Sequence, residues 1–156
     1  MRVELVENPF RVVRSNGIRG RSGFQRAEAF AEEYKNDSVI YTMGSGASYG
    51  AAYMESICIF MEMQWLDSAS FSTGEFFHGP FELVEKDKPY LLLVNDGPTR
   101  PMDLRALTFM ERFDAKVTVV DAKDYGLDKY VPASVKAVAS AIANGTFKIL
   151  ASVCAR

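Results

Sequence analysis

The sequence is poor in the residues that most often declare a function. Its 156 residues hold one histidine and two cysteines. Cys58 and Cys154 are too few for a disulfide framework, and such sparing use points to a reducing cytoplasm. A lone histidine among scattered carboxylates lacks the clustering that zinc or iron requires, so no metal is expected. Charge of one sign is also missing: 18 Lys and Arg against 20 Asp and Glu leave a net charge of −2. No strong field therefore selects nucleic acid or an anionic membrane. No apolar run reaches the roughly 18 residues needed to cross a bilayer. The Arg-bearing start lacks a signal peptide's hydrophobic stretch, so a cytoplasmic protein is expected. What is present, 48% hydrophobic and 24% charged residues, suits one globular domain with its own core.

Residues 1–21 carry Arg2, Arg11, Arg14, Arg19 and Arg21 among turn signals, with Glu4 and Glu7 between them. A solvated linker accounts for this better than a nucleic-acid arm, because no repeated aromatic-basic interleaving follows, Phe10 standing alone. Ser22 caps an expected helix with Phe24, Ala27, Ala31 and Tyr34 at helical spacing, ending at Asn36-Asp37. The organisation changes at Ser38, which divides an N-terminal arm and helix (1–37) from a domain (38–156). Strands are expected at 39–43, 65–69, 90–94 and 116–121, and helices at 48–63, 104–113 and around Val135 to Ile142. This alternation means βαβ units: a three-layer α/β/α domain with a mostly parallel sheet, flavodoxin-like or Rossmann-like. Ligands of such folds sit beyond the carboxyl ends of the strands.

Gly44-Ser45-Gly46 follows the first expected strand and opens a helix, the context for a tight turn close to a phosphate or sugar. Tyr49 stands where a dinucleotide fingerprint needs its third glycine, so no nicotinamide cofactor is expected. The Ser45 and Ser48 hydroxyls remain available to a polar ligand. After the 90–94 strand, Thr99 and Arg100 are the candidate phosphate ligands. The 48–63 helix is apolar nearly all round, which predicts burial on every side, in the core or against a partner subunit. Glu55 and Glu62, seven residues apart, would share one face. A Glu62 carboxylate enclosed by Phe60, Met61, Met63 and Trp65 would have its pKa raised by desolvation and by the helix's negative end. Such a group suits a general base, and equally an interface Glu paired with an arginine. His78, followed by Gly79-Pro80, stands at a segment end; Glu75 could fix its tautomer, or the pair could simply stabilise a helix.

Glu62 and His78 sixteen residues on, within Met61-Glu62-Met63-Gln64-Trp65 and Gly74-Glu75-Phe76-Phe77-His78-Gly79-Pro80, resemble the sugar isomerase (SIS) family. The Met-Glu-Met-Gln-Trp segment and the paired Phe are most similar to its fructosamine 6-phosphate deglycases. The resemblance spans about residues 38 to 130. It implies a SIS domain matching the second of two tandem modules, with Glu62 as the proton-moving carboxylate and His78 as the ring-opening histidine. That histidine can reach a neighbouring subunit's pocket in the family. It further implies Glu75 as a candidate orienter of His78, Gly44, Ser45, Gly46 and Ser48 facing the sugar, a phosphorylated sugar-amine substrate, no cofactor, and a homo-oligomer. Two rival readings stay open: an isomerase module of the glucosamine-6-phosphate synthase type, and a sugar-phosphate sensor without catalysis.

Overall fold

The run Tyr90-Leu91-Leu92-Leu93-Val94 offers no polar face to water, so both its sides must be covered. The computed structural model describes residues 23–125, and there this run is β3 (Pro89–Val94), buried at all six positions. β1 (Val39–Gly44) and β4 (Lys116–Asp121) flank it, and β2 (Asp67–Ser72) pairs with the outer side of β1. The order is β2-β1-β3-β4, with every pairing parallel.

Alternation along the strands sorts the core into two layers. Ile40, Leu91, Leu93 and Val120 face one side, with Ala27, Phe30 and Tyr34 of α1 (Gly23–Tyr34) and Ala52 of α2 (Ala47–Met54). Met43, Tyr90, Leu92, Val94, Val117 and Val119 face the other, with Ala106 and Met110 of α3 (Arg100–Arg112). The architecture is thus helices on both faces of a parallel sheet. Helix α1 is tied to the far strand by the Tyr34 hydroxyl, 2.8 Å from Thr118 Oγ1, so it shares this core. Burial pushes the Tyr34 phenol upward, against the pull of that hydrogen bond.

Two expected starts shift, one by a helical turn and one by two residues. α3 begins at Arg100 rather than Leu104, because Pro101 occupies the first turn, where its missing N–H costs nothing. β2 begins at Asp67, because Trp65 takes a left-handed backbone with φ 55 and cannot extend a strand. The last expected helix, around Val135 to Ile142, lies outside the described residues.

The larger correction concerns the 48–63 helix. α2 passes directly into a π-helix over Glu55–Met63, whose Gln64 N–H bonds to the Ile59 carbonyl. In an α-helix seven steps bring a side chain back to within about 20° of its start. In the wider π-helix, seven steps of roughly 80° put the two on opposite sides. Glu55 is accordingly buried, at 1% exposure, with Ser56, Ile59 and Phe60, whereas Glu62 is exposed. Nor is the segment buried all round. Tyr53, Met54, Ile57, Met61, Met63 and Trp65 form an exposed apolar face. Among the described residues no helix is long and apolar enough to cross a membrane.

Candidate active site

β1 is followed in the chain by β2 on one side of it and in the sheet by β3 on the other, so the loops after β1 and β3 diverge to leave a crevice. Its floor is a polar network. Asn95, just past β3, donates from Nδ2 to Ser45 Oγ at 2.7 Å and to Asp103 Oδ2 at 2.8 Å. Ser45 Oγ donates to Thr99 Oγ1 at 2.8 Å. Thr73, just past β2, donates to Asp103 Oδ1 at 2.7 Å, and the Asn95 backbone N–H donates to Asp103 Oδ2 at 3.1 Å. Asp103, in the first turn of α3, therefore ties together the ends of β1, β2 and β3 while fully buried. Burial pushes its carboxyl above the ordinary range, although the bonds from Thr73 and Asn95 oppose the shift.

Gly46 explains the glycine turn. It has φ 51, and a Cβ there would come within 2.9 Å of Thr99 Oγ1. At Gly44 a Cβ would meet the Ser48 carbonyl at 3.0 Å, so α2 could not pack so closely on β1. Ser48 is fully buried. Arg100 has a partner that the sequence reading did not assign: its fork grips both oxygens of Asp121 at the end of β4, one contact being 2.7 Å. Asp121 raises the Arg100 pKa further, the Arg100–Asp121 hydrogen bond being the main cause. Ser45, Thr99 and Arg100 thus spend much of their bonding capacity inside the fold.

His78 ends a short 3₁₀ turn, Phe76–His78, and lies exposed beside a cavity of about 320 Å³. Thr73, Gly74, Phe77, Met102 and Arg105 line the rest of it. Glu75 is exposed and joined to His78 through the backbone, its carbonyl accepting the His78 N–H at 2.8 Å. No side-chain hydrogen bond links the two. Glu62 does not line this cavity. The π-helix delivers it to the amino end of β2, whereas His78 follows the carboxyl end. A six-residue strand separates the two ends, about 17 Å at roughly 3.3 Å per residue. One copy of the chain thus does not bring Glu62 and His78 to one pocket. Among the described residues no three His, Cys, Asp or Glu side chains cluster as metal ligands.

No family model matches the sequence. The chain is 50% identical over 99 residues to fructosamine deglycase FrlB of Bacillus subtilis, covering 64% of this chain and 30% of that protein. Its fold superposes, with a TM-score of 0.77 and 40% identity, on a protein from Salmonella typhimurium assigned to the phosphosugar isomerases. That match covers 85% of this chain and 44% of the other. The chain carries a deglycase-like sugar isomerase (SIS) domain. A fructoselysine 6-phosphate deglycase of Escherichia coli is 35% identical over 83 residues, covering 53% of this chain and 24% of that protein. The SIS domain described here therefore spans less than a third of the length of these curated relatives.

Reading residues alone missed Asn95, Asp103, Thr73 and Arg105. For Asp103 a signal existed: an acid one turn after Thr99-Arg100-Pro101, where a helix N-terminus favours it. Thr73 and Asn95 also stand one residue past strand ends, where ligands and polar networks of this fold collect. Arg105 carried no signal, because its neighbour Phe77 is brought to it only by the tertiary fold.

Proposed function

We propose that the SIS domain takes part in removing the amine from a fructosamine 6-phosphate, with Glu62 as general base and His78 as the acid that opens the sugar ring. The observation that carries this reading is the pair Glu62 and His78 in a chain half-identical to a fructosamine deglycase across 99 residues. The open-chain substrate holds a carbonyl at C2 beside a C1 bearing the amine. Glu62 takes a C1 proton while an acid protonates the C2 oxygen, giving an enaminol. The proton returns at C2, leaving an imine between C1 and nitrogen. Water adds to that imine, and its collapse releases glucose 6-phosphate and the free amine. Each proton removed is replaced, so neither redox cofactor nor metal is required.

Because Glu62 and His78 lie at opposite ends of β2, the reading requires a second SIS module, supplied by another copy of the chain. The exposed face of Tyr53, Met54, Ile57, Met61, Met63 and Trp65 supports such an assembly, because exposed apolar patches rimmed by polar residues mark interaction surfaces. Trp65 is 92% exposed and has a strained backbone, an arrangement that nothing within the described residues rewards. Glu62 is exposed among these residues, which supports a site completed by a neighbouring module. We take the protein to be a cytoplasmic homo-oligomeric hydrolase whose catalytic unit centres on residues 38–156, with Ser45, Ser48 and the glycine turn next to the sugar. The test is incubation of the full chain with fructoselysine 6-phosphate. Equal release of glucose 6-phosphate and lysine is expected; release of neither overturns the reading.

A further inference from the structure

The loops after β1 and β3 spend their hydroxyls and Arg100 on one another and on Asp121, which leaves open what grips the charged end of a substrate. Arg105 is differently placed. It lines the His78 cavity, and its guanidinium carbon sits 4.1 Å above the centre of the Phe77 ring. Phe77 in turn packs edge-on against Phe76 and Phe109 and beside Phe81, so the platform is held from several sides. Stacking occupies the face of the guanidinium and leaves its N–H groups, which lie in the plane, free to donate. Arg105 forms no ion pair and no hydrogen bond with another side chain among the described residues. At the carboxyl ends of the strands Arg100 is by contrast committed to Asp121.

We propose that Arg105 is an oxyanion-binding residue of the His78 cavity, its fork held in register by Phe77 to receive the phosphate or the carboxylate of a sugar-amine substrate. This rests on the deglycase reading for the identity of the substrate, but not for the binding itself. A planar fork suits either oxyanion in two-point contact. Phe77 and Met102 give the cavity apolar walls, and Arg105 is exposed, so its fork is open to an incoming oxyanion. His78 stands at the same cavity, which places the gripped end next to the acid.

The test is calorimetric titration of the full chain, its Arg105→Gln variant and its Arg105→Lys variant with four probes: fructose 6-phosphate, fructose, fructoselysine and decarboxylated fructoselysine. Loss of the fork should weaken binding of the oxyanion-bearing probe about tenfold, and lysine should restore only part of it. Dependence on Arg105 confined to fructose 6-phosphate over fructose assigns the phosphate. Dependence confined to fructoselysine over its decarboxylated form assigns the carboxylate. In turnover of fructoselysine 6-phosphate the Gln variant should raise KM with kcat little changed. Binding of every probe within twofold of wild type in both variants, or no binding of any probe by wild type, overturns the proposal. Arg105-dependent binding in a chain that never releases glucose 6-phosphate supports Arg105 while overturning the deglycase reading.

Discussion

Thr73 Oγ1 donates to Asp103 Oδ1 across 2.7 Å, joining the end of β2 to the first turn of α3 thirty residues away. Both groups are buried, and the other oxygen of the same carboxylate takes two donors from Asn95. Three strand ends thus hang on one side chain.

Asp103→Asn leaves one oxygen for the two Asn95 donors and turns an N–H₂ on Thr73 Oγ1, which must then give up donating, so the network is weakened. A loss of roughly 2–4 kcal/mol is expected by denaturant unfolding, the range for buried polar networks left half-satisfied. The pH dependence has a definite sign. Asp103 holds its proton more tightly folded than unfolded, so its contribution to stability is greatest in acid. That contribution is lost as pH rises from the ordinary carboxyl value of 3.8 through the raised folded value. Unfolding of wild type and Asp103→Asn across pH 3 to 7 should show this decline in wild type alone.

Gly46→Ala places a Cβ against Thr99 Oγ1 on a left-handed backbone. A cost of about 1–2 kcal/mol is expected from the backbone alone, read as a lowered Tm. An unchanged Tm would mean that the turn relaxes freely.

Trp65→Gly separates fold from assembly. Glycine accepts φ 55 without strain, so the isolated domain should gain about 1 kcal/mol by denaturant unfolding. Sedimentation should show weaker self-association in the same variant, because the 92% exposed indole is gone. A variant that assembles as tightly as wild type removes Trp65 from the interface.

Much of the scaffold was legible before any coordinates. Val39 to Gly44, Pro89 to Val94 and Lys116 to Asp121 form strands because β-branched and apolar runs bounded by turn residues leave little alternative. The two-layer core follows from the same runs. The helical face of Glu62 was not legible, because period arguments assume 3.6 residues per turn and the chain widens to a π-helix at Glu55. Nothing local announces that change; Leu66 N–H bonding back to the Phe60 carbonyl shows the chain being gathered to meet β2. The Ser45, Asn95 and Asp103 network was equally hidden, since its members lie up to 58 residues apart in sequence and meet only when parallel strands align.

Glu62→Gln keeps the shape of the side chain and removes its basicity. Turnover of fructoselysine 6-phosphate should fall by at least about a hundredfold, the usual contribution of a general base, with sugar-phosphate binding nearly unchanged. An active Gln variant takes the base role from Glu62.

The most direct measurement mixes two inactive chains. If Glu62 of one copy and His78 of another complete one site, Glu62→Gln and His78→Ala should each be dead alone. Unfolded and refolded together, they should regain about a quarter of wild-type activity, as random pairing into symmetric dimers gives one intact site in half of them. No recovery in the mixture, beside a wild-type chain that releases glucose 6-phosphate, would contradict a site shared between copies.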